Sequence, residues 1–277
     1  MDGVAAPVVV DHGAAVSREF YKLTGSGNDF IFFDLGQPAD TFISHDVVQA
    51  LCARGTGVGA DGVVFVIRPP MPSALMIHYL NADGSRAELC GNATLCTVRL
   101  ASLLGLAGEL TIMTGAGEIT GRLVEDQPEI DLAPVSSLVE DQPLAARPAV
   151  ARRIGYAVAG VPHLVVLVDD VDTIDVLGDG AALRRDPLLG AAGANVNFVS
   201  LAGGLRMRTY ERGVEGETLA CGTGAVATAA LLAAWGLATS PVSLMTRSGS
   251  VLTVRFTGDR PSLAGEGRLV FTGQLPG

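Results

Sequence analysis

The chain has 277 residues, of which 48% are hydrophobic and 17% charged, and this composition excludes an intrinsically disordered protein. Its formal net charge of −10 excludes a nucleic-acid partner, because binding to phosphates needs clustered basic side chains. The longest apolar stretch, residues 225–238, is too short to span a bilayer, which excludes a helical membrane protein.

Residues 1–19 have neither a basic start nor a long apolar run, so we expect an extension before the first strand rather than a signal peptide. The cysteines show no C-x-x-C pair and no disulfide-rich spacing, which favours a reducing, cytoplasmic compartment. These cysteines are Cys52, Cys90, Cys96 and Cys221.

The elements predicted on either side of a glycine-rich motif decide how that motif is interpreted. Residues 31–34 are predicted to form a strand, 46–54 a helix and 63–67 a strand. Residues 57–62, between that helix and the second strand, spell G-x-G-x-x-G. A dinucleotide fingerprint needs a strand before it and a helix after it, so the order here is wrong and a turn is predicted.

An internal repeat organises the rest of the chain. Cys90 opens a helical run that stops at Gly105, and Cys221 opens another that stops at Gly236 after the same number of residues. In both runs a glycine follows the cysteine, and apolar residues then recur at helical spacing. Strand-like runs greatly outnumber helices. The sequence therefore predicts two similar α/β halves.

Residues 125–153 contain four prolines and little periodicity, which predicts a linker between the halves. We accordingly expect an extension at 1–19, a first half at 20–134 and a second half at 135–265. The predicted fold class is α/β (α+β), with two pseudo-symmetric domains. Each domain is expected to be a curled, mostly antiparallel sheet around a central helix.

A cysteine at a helix start has particular chemistry, because free backbone N–H groups there stabilise a thiolate and can hold a carboxylate. Lowering a thiol pKa by two units takes about 2.7 kcal/mol. A helix terminus supplies about 0.3–1 kcal/mol. Hydrogen bonds or an ionisable partner must add the remainder, and His163 and Glu211 are the candidates by residue type.

Two matched cysteines suit the inversion of a carbon centre, where a base removes a proton on one face and an acid delivers one on the other. We interpret Cys90 and Cys221 as that pair, and Cys52 and Cys96 as buried structural residues. The expected partner is a small-molecule amino-acid substrate.

Other interpretations of these residues are a pyridoxal-phosphate enzyme, a Cys–His peptidase and a binding protein. Pyridoxal phosphate would depend on Lys22, the only lysine, and the histidines lack metal-ligand spacing, so no cofactor or metal is expected. A Cys–His peptidase using Cys221 and His163 would leave Cys90 and the repeat unexplained. A non-catalytic small-molecule binding protein of the same fold stays open.

Five long motifs resemble the diaminopimelate epimerases, and the likeness covers the chain from about Phe20 onward. They are GSGNDFIFFD at 25–34, GTGVGADG at 55–62, NADGSRAELCGNATLC at 81–96, PHLVVLVDDVD at 162–172 and ERGVEGETLACGTGA at 211–225. The resemblance implies a pyridoxal-independent epimerase that interconverts LL- and meso-diaminopimelate, on the route to lysine and peptidoglycan.

The resemblance also implies roles for individual residues. Cys90 and Cys221 would exchange thiolate and thiol roles with reaction direction, while His163 and Glu211 tune them. Side chains implied to bind substrate are Asn28, Asn81, Asn195, Glu211 and Arg212. Backbone donors implied for the substrate carboxylate are Gly91, Asn92, Gly222 and Thr223. The family fold is two α/β domains with the last strand, within 266–277, returning to the first, and homodimers are common.

Three positions depart from the family pattern. Val161 stands where Asn is usual before Pro-His, Leu95 where Arg is frequent, and Gly62 where Gln can occur. Val161 loses an amide expected to contact the distal end of the substrate. A racemase of another amino acid, such as histidine, is therefore the alternative within the same reaction type.

Overall fold

In the computed structural model, which describes residues 19–36 and 44–275, the chain divides into two units. The first contains the described residues up to Pro128 together with those from Gly267 onward. The second runs from Glu129 to Glu266. Apart from Glu19, the predicted extension at 1–19 lies outside the described residues.

The first unit has the following elements in chain order: β1 (Glu19–Gly25), β2 (Asn28–Gly36), α1 (His45–Cys52), β3 (Gly62–Ile67), β4 (Ala74–Asn81), β5 (Arg86–Ala87), α2 (Gly91–Leu103), β6 (Leu110–Thr114) and β7 (Gly117–Val124). It also receives the final strand, β18 (Arg268–Gln274).

The remaining elements begin with β8, which crosses from the first unit into the second, and the others belong to the second unit. They are β8 (Gln127–Asp131), β9 (Ser136–Val139), β10 (Arg153–Ala159), β11 (Val161–Leu167), α3 (Val176–Arg184), β12 (Asn195–Ser200), β13 (Arg206–Glu211), β14 (Gly216–Thr218), α4 (Gly222–Ala234), β15 (Val242–Met245), β16 (Val251–Thr257) and β17 (Arg260–Ala264). Short 3-10 turns at Val171–Thr173 and Pro187–Leu189 flank α3.

The two units repeat one pattern of strand pairing. In the first, β1 pairs antiparallel with β18 and β2, β2 parallel with β3, β3 antiparallel with β4, β4 parallel with β6, and β6 antiparallel with β7. In the second, β10 pairs antiparallel with β9 and β11, β11 parallel with β12, β12 antiparallel with β13, β13 parallel with β15, and β15 antiparallel with β16.

Each sheet curls around its own central helix. In the first unit α2 contacts β1, β7 and β18, strands that lie toward opposite ends of the sheet. In the second, α4 contacts β10, β11, β12, β16 and β17. This confirms the predicted fold class of two pseudo-symmetric, mostly antiparallel α/β domains.

Small residues let the strands approach these helices closely. A Cβ on Gly155 of β10 would lie 2.6 Å from Leu231 of α4 and 2.9 Å from Trp235, so the strand backbone packs directly on the helix. Leu231 and its neighbour Leu232 are fully buried. Burying each such side chain stabilises the fold by about 1.5–3 kcal/mol.

Both central helices end in the same backbone motif, a Schellman turn. In α2 the Leu106 N–H donates to Ala101 O at 2.9 Å, and in α4 the Leu237 N–H donates to Leu232 O at 2.9 Å. The residue before each donor is a glycine at positive φ, 83° at Gly105 and 70° at Gly236. The predicted helix ends are therefore confirmed.

The predicted linker at 125–153 was partly wrong. It contains β8, which pairs with β17, and β9, which pairs with β10. Pro128 lies within β8 ahead of Glu129, Ile130 and Asp131, the residues that pair with β17, so it removes no donor from that ladder. The prolines suggested a break in secondary structure, whereas Pro128 lies near the start of a strand.

Across residues 19–36 and 44–275, no helix combines the length and the apolar character needed to cross a bilayer.

We predict that Gly236→Ala lowers the free energy of unfolding by about 1 kcal/mol, because an L-residue at positive φ is strained. No heavy atom lies within 4 Å of the added Cβ, so the loss comes from the backbone alone. Gly236→Asn should lose less than Gly236→Ala, since Asn tolerates this conformation better. Urea denaturation of both variants measures this, and equal stability of Gly236→Ala and wild type would contradict it.

Candidate active site

Cys90 and Cys221 occupy the same position in the two units, immediately before the central helices. Cys90 caps α2 with φ −132° and ψ 112°, and Cys221 caps α4 with φ −136° and ψ 109°. The Cys90 carbonyl accepts from Thr94 N at 2.9 Å, and the Cys221 carbonyl from Ala225 N at 3.0 Å. The Cys90 thiol makes no side-chain cap hydrogen bond to the first turn of α2, whereas the Gly224 backbone in the first turn of α4 donates to the Cys221 thiol.

No disulfide joins the four cysteines, all of which lie in the described ranges. Cys52 and Cys96 are buried, at 5% and 0% exposure, as expected for structural residues. Burial raises the pKa of Cys52 to about 11, so it is a thiol at neutral pH. Cys90 is partly exposed, whereas Cys221 is 7% exposed.

A chain of amides leads to the start of α2. Asn92 Nδ2 donates to Asn28 Oδ1 at 2.7 Å, and Asn28 Nδ2 donates to Asp61 Oδ2 at 3.0 Å. Because a carboxylate only accepts, Asp61 fixes the orientation of Asn28, which in turn fixes that of Asn92. The remaining oxygen, Asn92 Oδ1, is buried without a hydrogen-bond partner among the described residues.

A cluster of charged side chains contacts Asp61, the residue at the end of this amide chain. Arg54 donates to Asp61 Oδ1 at 2.8 Å and to Asp29 Oδ1 at 2.5 Å, and Lys22 lies 2.7 Å from Asp29 Oδ2. Burial alone would raise the pKa of Asp29, but hydrogen bonds from Arg54 and Lys22 lower it below the usual value. Lys22, 5% exposed, also donates to the Gly59 carbonyl, so its ammonium is committed to this cluster.

Asn81 lies next to the same cluster. It pairs with Gly62 across β3 and β4, and its Nδ2 donates to Ser85 Oγ at 2.9 Å. Gly91 and Asn92 occupy the first turn of α2. The first unit thus brings Asn28, Asn81, Gly91, Asn92 and Cys90 to one region.

In the second unit, Cys221 is hydrogen-bonded to Glu211, which also accepts from Thr218 Oγ1 at 2.6 Å. Burial first, and then the nearby Glu211 carboxylate, raise the pKa of Cys221 well above its ordinary value. A hydrogen bond from Thr223 and one from the Gly224 backbone oppose this but are outweighed. The helix start alone therefore does not make Cys221 a thiolate.

Glu211, the hydrogen-bond partner of this thiol, is itself a buried carboxyl group. Burial raises the pKa of Glu211, while hydrogen bonds from Thr218 and Cys221 lower it. A carboxylate in this position can receive the Cys221 proton, which is the arrangement needed to activate a buried thiol.

His163 is fully buried on β11, and its Nδ1 lies 3.2 Å from Asn197 Nδ2. Asn197 also donates to Leu164 O at 3.2 Å and accepts from Thr209 Oγ1 at 3.0 Å. Burial, aided by the charge of Arg212, lowers the pKa of His163 to about 3. His163 is thus a neutral ring at physiological pH.

Asn195 and Arg212 are joined through the backbone. Asn195 Oδ1 accepts from Arg212 N at 2.8 Å, and Asn195 pairs with His163 across β11 and β12. Gly222 and Thr223 form the first turn of α4. The second unit therefore gathers its predicted residues, from His163 to Thr223, around the start of α4.

Sequence reasoning missed Asp61, Asn197 and Thr218, whose contacts orient the predicted residues. One signal was available for Asn197. In the strand NVNFVS it follows Asn195 at a spacing of two, so both amides point to one face of an otherwise apolar strand. Asp61 and Thr218 lie within the motifs at 55–62 and 211–225, but nothing in the sequence pattern assigned either residue a contact.

The structure explains two of the three departures. A Cβ on Gly62 would lie 2.5 Å from the Tyr79 ring and 2.6 Å from Leu80 O, so Tyr79 fills the space that a longer side chain would need. Leu95 is fully buried in α2, where an apolar residue fits. Val161 lies at the start of β11, partly exposed, and nothing in the structure explains its replacement of Asn.

Within the described ranges, no three His, Cys, Asp or Glu side chains are grouped so that they could hold a metal ion.

The lowered pKa of His163 predicts a pH-dependent stability. Its unfolded form binds a proton below pH 6.5, whereas the folded form stays neutral down to about pH 3, so stability falls as pH falls through this range. We expect about 2 kcal/mol of this loss between pH 6.5 and 5. His163→Gln should lose correspondingly less, as measured by urea denaturation at both pH values. Equal losses in both proteins would contradict the assignment.

Comparison with known proteins gives the family. The diaminopimelate epimerase family model matches residues 20–137 and 155–269. A diaminopimelate epimerase of Gemmatimonas aurantiaca is 48% identical over 93% of this chain and 99% of its own length. One from Aquifex aeolicus is 40% identical over 93% of this chain and 97% of its own.

The fold is shared more widely. A predicted epimerase from Pseudomonas aeruginosa, solved as a structure, superposes with a TM-score of 0.69 at 17% identity, over 94% of this chain and 99% of that one. At this identity the likeness concerns the fold alone. The family match and the 48% identity go further, and the chain belongs to the diaminopimelate epimerase family.

Proposed function

We propose that this protein is an isomerase that interconverts LL- and meso-diaminopimelate, with Cys90 and Cys221 as the proton-transfer pair. The observation that carries the proposal is the equivalence of the two cysteines, which cap pseudo-symmetric helices with nearly identical backbone angles. The family and the curated relatives named diaminopimelate epimerase give the substrate.

The reaction needs one base and one acid on opposite faces of the α-carbon. In one direction the Cys90 thiolate removes the α-proton, and the Cys221 thiol delivers its proton to the other face. Cys90 is then a thiol and Cys221 a thiolate, which is the starting state of the reverse reaction. The raised pKa of Cys221 supports its role as the acid, and Glu211 is the group that exchanges its proton.

The carboxylate next to the reacting carbon is proposed to bind at the helix starts. Backbone N–H groups at Gly91, Asn92, Gly222 and Thr223 belong to the first turns of α2 and α4. Such donors stabilise the negative charge that develops when the α-proton leaves.

The distal amino-acid group is proposed to bind through polar side chains. Arg212 supplies a guanidinium for the carboxylate, while Glu211 and the amide oxygens of Asn28, Asn81 and Asn195 accept from the ammonium. Asn28 Oδ1 already accepts from Asn92, and its second lone pair remains for the substrate.

We further propose that the enzyme works in the cytoplasm, in lysine and peptidoglycan biosynthesis, and assembles as a homodimer, as is common in the family. A reducing compartment would keep both catalytic cysteines reduced.

The first test follows the α-proton. Reduced protein without added cofactor is incubated with LL-diaminopimelate in deuterated water, and loss of the α-proton signal is followed by NMR. We expect deuterium in the meso product, because the acid on the second face carries a solvent deuteron. Histidine, lysine and glutamate should not exchange, and exchange of histidine alone would overturn the proposed substrate.

Cys90→Ala and Cys221→Ala should each lower the rate of net epimerisation by at least about 10²-fold, because each removes one of the two proton-transfer groups. Cys96→Ala is the matched control, since this buried thiol lies in the same helix as Gly91 and Asn92 but serves packing. Full activity of either catalytic variant, measured by chiral chromatography of the product, would refute the two-cysteine mechanism.

Val161→Asn restores the amide typical of the family at the start of β11. We expect KM for diaminopimelate to fall about three- to tenfold, the value of one hydrogen bond, with kcat little changed. Val161→Thr, which lacks the amide, is the control. An unchanged KM in Val161→Asn would mean that this position does not contact the substrate.

A further inference from the structure

The orientation of the buried Asn197 amide is fixed by its neighbours. Leu164 O can only accept, so the Asn197 atom 3.2 Å from it is the amide nitrogen. The other atom, Oδ1, then accepts from Thr209 Oγ1 at 3.0 Å. The Leu164 contact requires this assignment of nitrogen and oxygen, and the Thr209 hydroxyl, which can donate or accept, is compatible with it. Asn197 is fully buried, so solvent does not compete for these hydrogen bonds.

This orientation determines where His163 carries its proton. Asn197 Nδ2 is a donor and lies 3.2 Å from His163 Nδ1, so Nδ1 must be a bare acceptor. A proton on Nδ1 would place two donors face to face. The neutral ring therefore carries its proton on Nε2. Burial and the nearby Arg212 act in the same direction, because both disfavour the doubly protonated ring.

The Nε2–H group of His163 is fully enclosed and has no acceptor among the described residues. A buried donor without an acceptor is costly, so it calls for an explanation, and a catalytic role is one of those that such groups have in native structures. The surroundings of His163 agree with this, since Asn195 pairs with it across the sheet and the Arg212 guanidinium is near.

The same amide lies beside the catalytic helix start. A Cβ built on Gly224 of α4 would lie 2.3 Å from Asn197 Oδ1 and 3.2 Å from Cys221 Sγ. Asn197 therefore packs against the first turn of α4, close to the thiol. The amide that contacts His163 Nδ1 therefore also packs against the helix turn that follows Cys221.

We propose that His163 acts as a neutral Nε2–H hydrogen-bond donor to an anionic acceptor at the reacting centre, and that Asn197 and Thr209 are positioning residues that fix this tautomer. The proton stays on Nε2 throughout, so His163 is neither a general base nor a cationic partner. The acceptor is a catalytic thiolate or the substrate carboxylate, and in this respect the inference rests on the proposed function.

The tautomer is tested on the wild-type protein without substrate. Long-range 1H–15N spectra of protein labelled at the imidazole nitrogens distinguish a protonated nitrogen from a bare one, and His163→Gln assigns the signals. We expect a proton on Nε2 and a bare Nδ1 at pH 7. A proton on Nδ1, or on both nitrogens, would overturn the proposal. Failure of the epimerase assay would leave this result standing, so the two failures are distinguishable.

The acceptor is identified from the proton shift of the Nε2–H group. A thiolate acceptor gives a downfield signal in ligand-free protein that moves upfield in Cys90→Ser, the variant of the cysteine proposed to start the reaction as a thiolate. A carboxylate acceptor gives a downfield change only when diaminopimelate is added. Either result supports the donor role. A signal that responds to neither change would refute it.

Asn197→Asp tests the positioning role with a nearly isosteric change. A carboxylate at this position accepts from Nδ1–H, so the proton should move to Nδ1 in the same spectra. We expect kcat to fall about ten- to hundredfold with KM little changed, the factor for losing one hydrogen bond to a charged group. Thr228→Val, an isosteric change at a buried hydroxyl of α4 that contacts Met207, should stay within twofold of wild type. A moved proton with an unchanged kcat would contradict the donor role.

Discussion

The structure depends on one constraint, the burial of a helix start inside a curled sheet. The first backbone N–H groups of a helix have no partner within the helix. In α2 and α4 the residue at the cap position is a cysteine, not one of the polar residues that usually cap a helix. Both helices instead begin with Cys-Gly. The small glycine leaves the N–H groups accessible to an anion, and the cysteine places a sulfur beside them. Duplication of this unit supplies the same arrangement twice.

Much of the fold could be predicted because it is written in local patterns. The two central helices, their glycine ends and the main strands follow from periodicity and from the repeat. The interpretation of residues 57–62 as a turn also holds, because α1 precedes them and β3 follows. The strands β8 and β9 were missed for a physical reason. Their pairing with β17 and β10 is a tertiary contact, and the nearby prolines suggested a linker.

The site could be predicted only in its residue types. The cysteines and their glycines were visible in sequence, but the balance of forces on Cys221 was not. Its burial and the carboxylate of Glu211 raise the pKa, whereas the sequence suggested an ionisable partner, such as Glu211, that would help to lower it. Similarly, His163 looked like an ionisable partner, yet its burial keeps it neutral. Such effects depend on what packs around a group, and a linear pattern does not contain that information.

The near-identity of the two cysteine backbones has a consequence for how the family can evolve. Cys90 and Cys221 differ by only a few degrees in φ and ψ, so their backbone geometry alone does not distinguish the role of one cysteine from that of the other. Their neighbours differ: Cys221 is hydrogen-bonded to Glu211, whereas the helix turn that follows Cys90 carries Asn92, which is bonded to Asn28. A repeated backbone with different side chains around it can exchange those side chains without disturbing the backbone that places the two cysteines. The stereochemical preference and the substrate range of family members can thus diverge while the backbone that positions the two sulfurs stays constant.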